Sequence, residues 1–133
     1  MSTLLVLNAP RQLGYEEQPD QPLNAGEVRV RTLFSGISAG TEMTIYRGTN
    51  VFMNKRWDAD RRLFLPGENS SWEYPIRNLG YEEVGEVIEV ASDVKDIQPG
   101  LQVYGTWNHR THAVIPADYA RQRKMPSGAE PIF

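Results

Sequence analysis

The chain has 133 residues, the length of one domain with its own core and short for a two-domain enzyme. Fourteen Lys and Arg against seventeen Asp and Glu leave a net charge of −3, which argues against nucleic acid as the partner. The absence of cysteine excludes disulfides and thiolate zinc sites within this chain, and no apolar run approaches the roughly 18 residues of a membrane helix. No signal peptide is visible at Met1, so a cytoplasmic protein with no membrane partner is expected.

In chain order, residues 3–7 are an apolar, β-rich run that Pro10 closes, and they read as a first strand. Residues 16–26 hold three acidic residues, two prolines and a glycine, and read as a loop. Residues 27–34 alternate: Val28, Val30, Thr32 and Phe34 face one way, Glu27, Arg29, Arg31 and Leu33 the other, as in a half-buried strand. Gly36 and Gly40 then let the backbone bend sharply through residues 35–42, before Met43, Ile45 and Tyr46 begin a short helix.

Met53, Trp57, Asp60-Arg61 and Phe64 recur at spacings of four, three and four, which predicts one amphipathic helix ended by Pro66-Gly67. A polar loop over residues 68–79 carries Trp72 and Tyr74. Long loops inside a domain form lids or substrate walls, so Trp57, Phe64 and Trp72 are candidates for a pocket lining, or else a cover over the barrel mouth.

Residues 84–91 alternate again and predict a strand, with Asp93 and the Pro99-Gly100 pair turning the chain back toward Val103 and Tyr104. Ala113, Val114 and Ile115 predict another strand, ended by Pro116. His109 and His112 lie three apart, and on a strand such residues face opposite sides, so one ion cannot take both. No Gly-x-Gly-x-x-Gly occurs, so nothing here is expected to cradle a pyrophosphate.

The run Gly80-Tyr81-Glu82-Glu83-Val84-Gly85-Glu86-Val87, followed by Pro99-Gly100-Leu101-Gln102-Val103-Tyr104-Gly105, resembles the medium-chain dehydrogenase/reductase family. The likeness is to its N-terminal GroES-like domain, usually called the catalytic domain, and extends from about residue 26 to residue 133. It implies a mainly β fold, a partly open antiparallel barrel with short helices, filling residues 1–133 as one domain. It also implies the substrate-side part of an NAD(P)-dependent alcohol or carbonyl oxidoreductase. The coenzyme would be held by a nucleotide-binding domain outside this chain, through which the parent would form a homo-oligomer, and residues 124–133 match the family linker. On that reading the isolated chain is inactive. The alternative is a stand-alone GroES-like module acting through mobile loops on a protein partner.

In zinc-dependent members the turn reads Gly-Ile-Cys-Gly-Thr-Asp, and its cysteine is the first metal ligand. Here Ser38 or Ala39 stands there, and Tyr81 replaces the histidine of the Gly-His-Glu motif. Hydroxyls replace thiolate and imidazole, so no catalytic zinc is expected through the usual ligands. The resemblance assigns substrate activation to Ser38, Thr41, Glu42, Tyr81 and Glu82. Thr41 matches the family hydroxyl that relays a proton, and a threonine there also suits a helix cap. Glu42 replaces the family aspartate, and Tyr81 either donates a proton or packs. Alternation puts Glu82 and Glu83 on opposite faces, with Glu82 expected inward near Glu42 and Glu83 solvated.

Overall fold

β-branched residues pack well on a pleated sheet, and here they cluster in the segments that become its central strands. A computed structural model describes residues 1–66 and 72–131. In order its elements are β1 (Ser2–Ala9), β2 (Gln12–Gln18), β3 (Glu27–Ser35), α1 (Thr41–Arg47), α2 (Val51–Asn54), β4 (Lys55–Asp58), β5 (Leu63–Pro66), β6 (Glu83–Val90), β7 (Gln102–Gly105), β8 (His112–Pro116) and α3 (Ala117–Gln122). Four strands pair in the order β7-β6-β3-β8, all antiparallel. The hairpins β1-β2 and β4-β5 form two further sheets.

The main core lies over this four-stranded sheet. Val28, Val30, Val87 and Val103 are fully buried, and Ile97, Ile115 and Trp107 pack with them beneath Ala117 and Ala120 of α3. Each buried valine contributes roughly 1.5–3 kcal/mol of transfer free energy. A second cluster, Leu7, Ile45, Ile76 and Leu79, joins β1 to α1 and takes Trp72 and Tyr74 against its edge. β1 reaches the large sheet through Leu5 N–H to His109 O (2.9 Å) and Thr111 N–H to Thr3 O (3.0 Å). The class is therefore mainly β and GroES-like, with open sheets rather than a closed barrel.

Three readings are corrected. Residues 16–26 are not all loop, because β2 runs to Gln18 as the polar partner of β1, behind a tight turn in which Arg11 has φ 62°. The helix expected across residues 53–64 is instead one turn of helix, α2, followed by the β4-β5 hairpin. Trp57 faces Phe64 across that hairpin, ring centroids 4.9 Å apart, and Arg61 N–H donates to Asp58 Oδ1 at 2.9 Å in its turn. A cross-strand aromatic pair and a turn bond thus outweigh the helical spacing. Gly67 and the start of the expected 68–79 loop lie outside the described residues.

The third correction is in β3. Leu33, an extra residue between Thr32 and Phe34, breaks its two-residue alternation, whereas the shift opposite Arg29 and Val30 skips Ile88 of β6. Arg29 is buried although it alternates with the core residues Val28 and Val30, and its guanidinium donates to Glu89 Oε2 (2.7 Å) and Gln21 O (2.6 Å). Phe34, just past the extra Leu33, is 44% exposed.

Candidate active site

The glycine turn after β3 and the start of β6 meet at the mouth of the sheet. Gly36 N–H donates to Glu82 O at 2.7 Å, and a Cβ on Gly36 would stand 2.9 Å from Glu82 Oε2. A side chain there would displace the end of the Glu82 side chain and crowd its Cβ at 3.1 Å. Ser38 Oγ accepts from Thr41 N–H at 3.2 Å as α1 begins. The helix is capped at Gly40 with no side-chain cap bond, so Thr41 does not act as the cap.

Glu42, in the first turn of α1, folds back under this turn and is buried. Its Oε2 accepts from Ser38 N–H (2.7 Å); its Oε1 accepts from Gly80 N–H (2.8 Å) and lies 2.8 Å from His109 Nε2. A carboxylate only accepts, so this set of partners assigns the Nε2 proton to the ring. On the ring's other side Nδ1 lies 2.5 Å from Ser35 Oγ, which is 3.1 Å from Glu83 Oε1. Glu83 Oε2 accepts from Trp107 N–H at 2.9 Å. The His109, Glu42 and Glu83 side chains are 10%, 6% and 0% exposed.

Gly80 makes this closure possible. Its φ is +97°, and a Cβ would stand 2.6 Å from both Glu83 Oε1 and His109 N. Asn108, with φ 69°, then turns the chain so that His109 points inward, its N–H donating to Leu79 O at 2.8 Å.

Two cavities flank the cluster. A cleft of about 880 Å³ has Ser35, Tyr81, Glu82, Glu83 and Thr106 in its wall, and a small apolar pocket of about 270 Å³ has Glu42, His109, Met43 and Tyr46. Of the residues expected at the site, Glu42 is brought into the cluster, and Tyr81 and Glu82 stand at the cleft lip, both exposed. The buried carboxylate is Glu83, so the expectation of Glu82 inward and Glu83 solvated is reversed. Ser38 and Thr41 sit in the turn, outside both cavity walls, as do Trp57, Phe64 and Trp72. Ser35, Glu83 and His109 were missed as site residues; the left-handed preference of asparagine at position 108 was the available signal for His109.

The residues do not fit the family zinc. Ser38 Oγ is taken by Thr41 N–H, and Tyr81 offers an exposed phenol where zinc-dependent members have an imidazole. Among the described residues no three His, Asp or Glu side chains gather as a metal site would need. Nor do these residues offer a nucleotide a phosphate cradle, since no βαβ unit occurs among them.

An open GroES-like sheet, with its glycine turn hydrogen-bonded to the Gly-Tyr-Glu start of the next strand, is the fold of the N-terminal domain of medium-chain dehydrogenases/reductases, which this chain resembles. It is 31% identical over 129 residues to D-guloside 3-dehydrogenase of Escherichia coli K12, covering 94% of this chain and 37% of that one. It is 34% identical over 104 residues to the 2-desacetyl-2-hydroxyethyl bacteriochlorophyllide A dehydrogenase of Cereibacter sphaeroides, covering 77% of this chain and 27% of that one. Among solved structures it resembles a short chain alcohol dehydrogenase from E. coli CFT073 complexed with NADH: TM-score 0.63, 21% identity, 98% of this chain and 40% of that one. The 2R,3R-butanediol dehydrogenase of Bacillus subtilis matches with TM-score 0.62 at 15% identity, over 98% of this chain and 42% of that one. The chain thus spans well under half the length of these relatives. No family model matches it.

Proposed function

We propose that this chain is the substrate-side domain of an NAD(P)-dependent oxidoreductase that interconverts an alcohol and a carbonyl without a catalytic zinc bound in the family manner. The observation that carries this reading is the buried cluster of Glu42, His109, Ser35 and Glu83 behind the cleft, beside the two positions where zinc-dependent members place metal ligands. When bound, the nicotinamide supplies one thing, acceptance or return of a hydride at the carbinol carbon. This chain's residues do the remaining work. Tyr81 and Thr106 at the lip orient a small polar substrate, the apolar wall from Phe34 to Val84 excludes water, and the buried cluster takes the hydroxyl proton. The sugar-derived substrate in the name of one relative makes secondary hydroxyls of glycosides the first compounds to try.

The test is coenzyme reduction by the polypeptide from the gene that carries this chain, with NAD⁺ and NADP⁺, before and after treatment with a strong chelator. Turnover that survives chelation supports the reading. Turnover abolished by the chelator and restored by zinc overturns it. The 133-residue chain alone should show no thermal shift with either coenzyme.

A further inference from the structure

The cluster behind the cleft has two ends. Ser35 and Glu83 are in the wall of the wide cleft, while His109 and Glu42 are in the wall of the small pocket, and continuous hydrogen bonds join the pairs. We propose that Ser35 and His109, held between Glu83 and Glu42, form a proton relay that carries a substrate's hydroxyl proton from the cleft toward the small pocket.

Counting protons shows why the arrangement suits transfer. Glu42 accepts three hydrogen bonds, which keeps a proton on Nε2 of His109 and leaves Nδ1 as the ring's variable site. Two gaps separate Nδ1 from Glu83, 2.5 Å to Ser35 Oγ and 3.1 Å onward to Glu83 Oε1. Ser35 brings a single proton to fill them, so the chain has room for one more. A proton that arrives from the cleft is taken by Ser35 Oγ as the serine's own proton moves to Nδ1. The imidazolium so formed lies between two carboxylates, Glu42 from α1 and Glu83 from β6, and both stabilise its charge.

The order serine, histidine, glutamate also occurs in hydrolytic triads. Here a second carboxylate stands 3.1 Å from Ser35 Oγ, where a tetrahedral intermediate would need hydrogen-bond donors, and this opposes nucleophilic use.

The relay rests on the oxidoreductase reading, and its chemistry balances within it. The alcohol gives a hydride to the nicotinamide and its hydroxyl proton to Ser35, and the serine proton passes to Nδ1 of His109. The imidazolium passes its Nε2 proton through Glu42 to water admitted by the small pocket, and the ring then returns to the Nε2–H tautomer. Reduction of a carbonyl runs the same steps backward.

Two measurements decide it. In the 133-residue chain, without coenzyme, long-range ¹H–¹⁵N NMR reads the two ring nitrogens of His109. Glu83→Gln should change the Nδ1 signal although Glu83 sits 3.9 Å from that nitrogen, and Glu82→Gln should not. An Nδ1 signal unmoved by Glu83→Gln overturns the relay whatever reaction the protein performs. In the polypeptide from the whole gene, Ser35→Ala should lower kcat at least about 10²-fold with KM little changed, and Ser35→Thr, which keeps the hydroxyl, should recover most of it. Undiminished turnover by Ser35→Ala, or a threonine variant no better than alanine, overturns the relay while leaving the oxidoreductase reading intact. Absence of coenzyme turnover by the wild type overturns that reading, and the NMR result still stands as the test of the wiring.

Discussion

Gly80 N–H donates to Glu42 Oε1 at 2.8 Å, fastening the start of the central strand to a helix that precedes it by 38 residues. The same glycine has φ +97° and would bring a Cβ within 2.6 Å of Glu83 Oε1. Gly80→Ala therefore combines backbone strain with a clash against a buried carboxylate and should cost about 2 kcal/mol or more. Gly26, with φ +75° and nothing within 4 Å of an added Cβ, isolates the strain alone and should cost about 1 kcal/mol as alanine. Urea denaturation of both variants checks the order; equal losses would remove the close approach as a cause.

The two adjacent glutamates should behave oppositely. Glu83 is 2% exposed and accepts from Trp107 N–H and Ser35 Oγ, so Glu83→Gln should lose about 1–3 kcal/mol, since an amide cannot accept at both positions. Glu82 is exposed, and Glu82→Gln should stay within about 0.5 kcal/mol of wild type. Chemical denaturation of this pair of variants tests the assignment of the buried carboxylate.

That assignment was out of reach of strand parity, because β6 begins at Glu83 and residues 80–82 are not extended strand. The positive φ at Gly80 rotates the chain just before the first paired residue. Where regular pairing held, the sequence was legible: β3, β6, β7 and β8, the Pro99-Gly100 turn and the short α1 all follow from alternation and turn chemistry. β2 was hidden because its exposed side is polar and glycine-bearing, and the β4-β5 hairpin because its aromatic spacing also fits a helix. His109 was hidden by the left-handed Asn108, which removes it from the strand that carries His112.

The hairpin supplies a contrast to the core. Trp57 is 48% exposed and touches Phe64 edge-on, so Trp57→Ala should cost only about 0.2–1 kcal/mol. Leu7, fully buried in the second cluster, should cost about 2–5 kcal/mol as alanine. A Trp57 loss as large as that of Leu7 would mean that the hairpin is built into the core.

Acid stability has an identifiable source. A hydrogen bond from Arg121, which also grips Asp118, holds the Asp96 carboxyl at about 2, below its ordinary 3.8. A depressed carboxyl stabilises the fold above its unfolded value and loses that contribution as pH falls through its folded value. Asp96→Asn should thus melt slightly below wild type at pH 7, and the gap should close between about pH 4 and pH 2. The pair is exposed, so the effect should also shrink in high salt. Thermal melts across that range check it, and a gap that widens toward acid would contradict it.

His109 lies 67 residues beyond the carboxylate it serves, and β3 takes its partners from strands that follow it by tens of residues. During synthesis Glu42 must wait, hydrated, until the chain past position 109 has left the ribosome. Such distant pairings favour slow assembly, so the cleft should be among the last regions of the nascent protein to take its native shape.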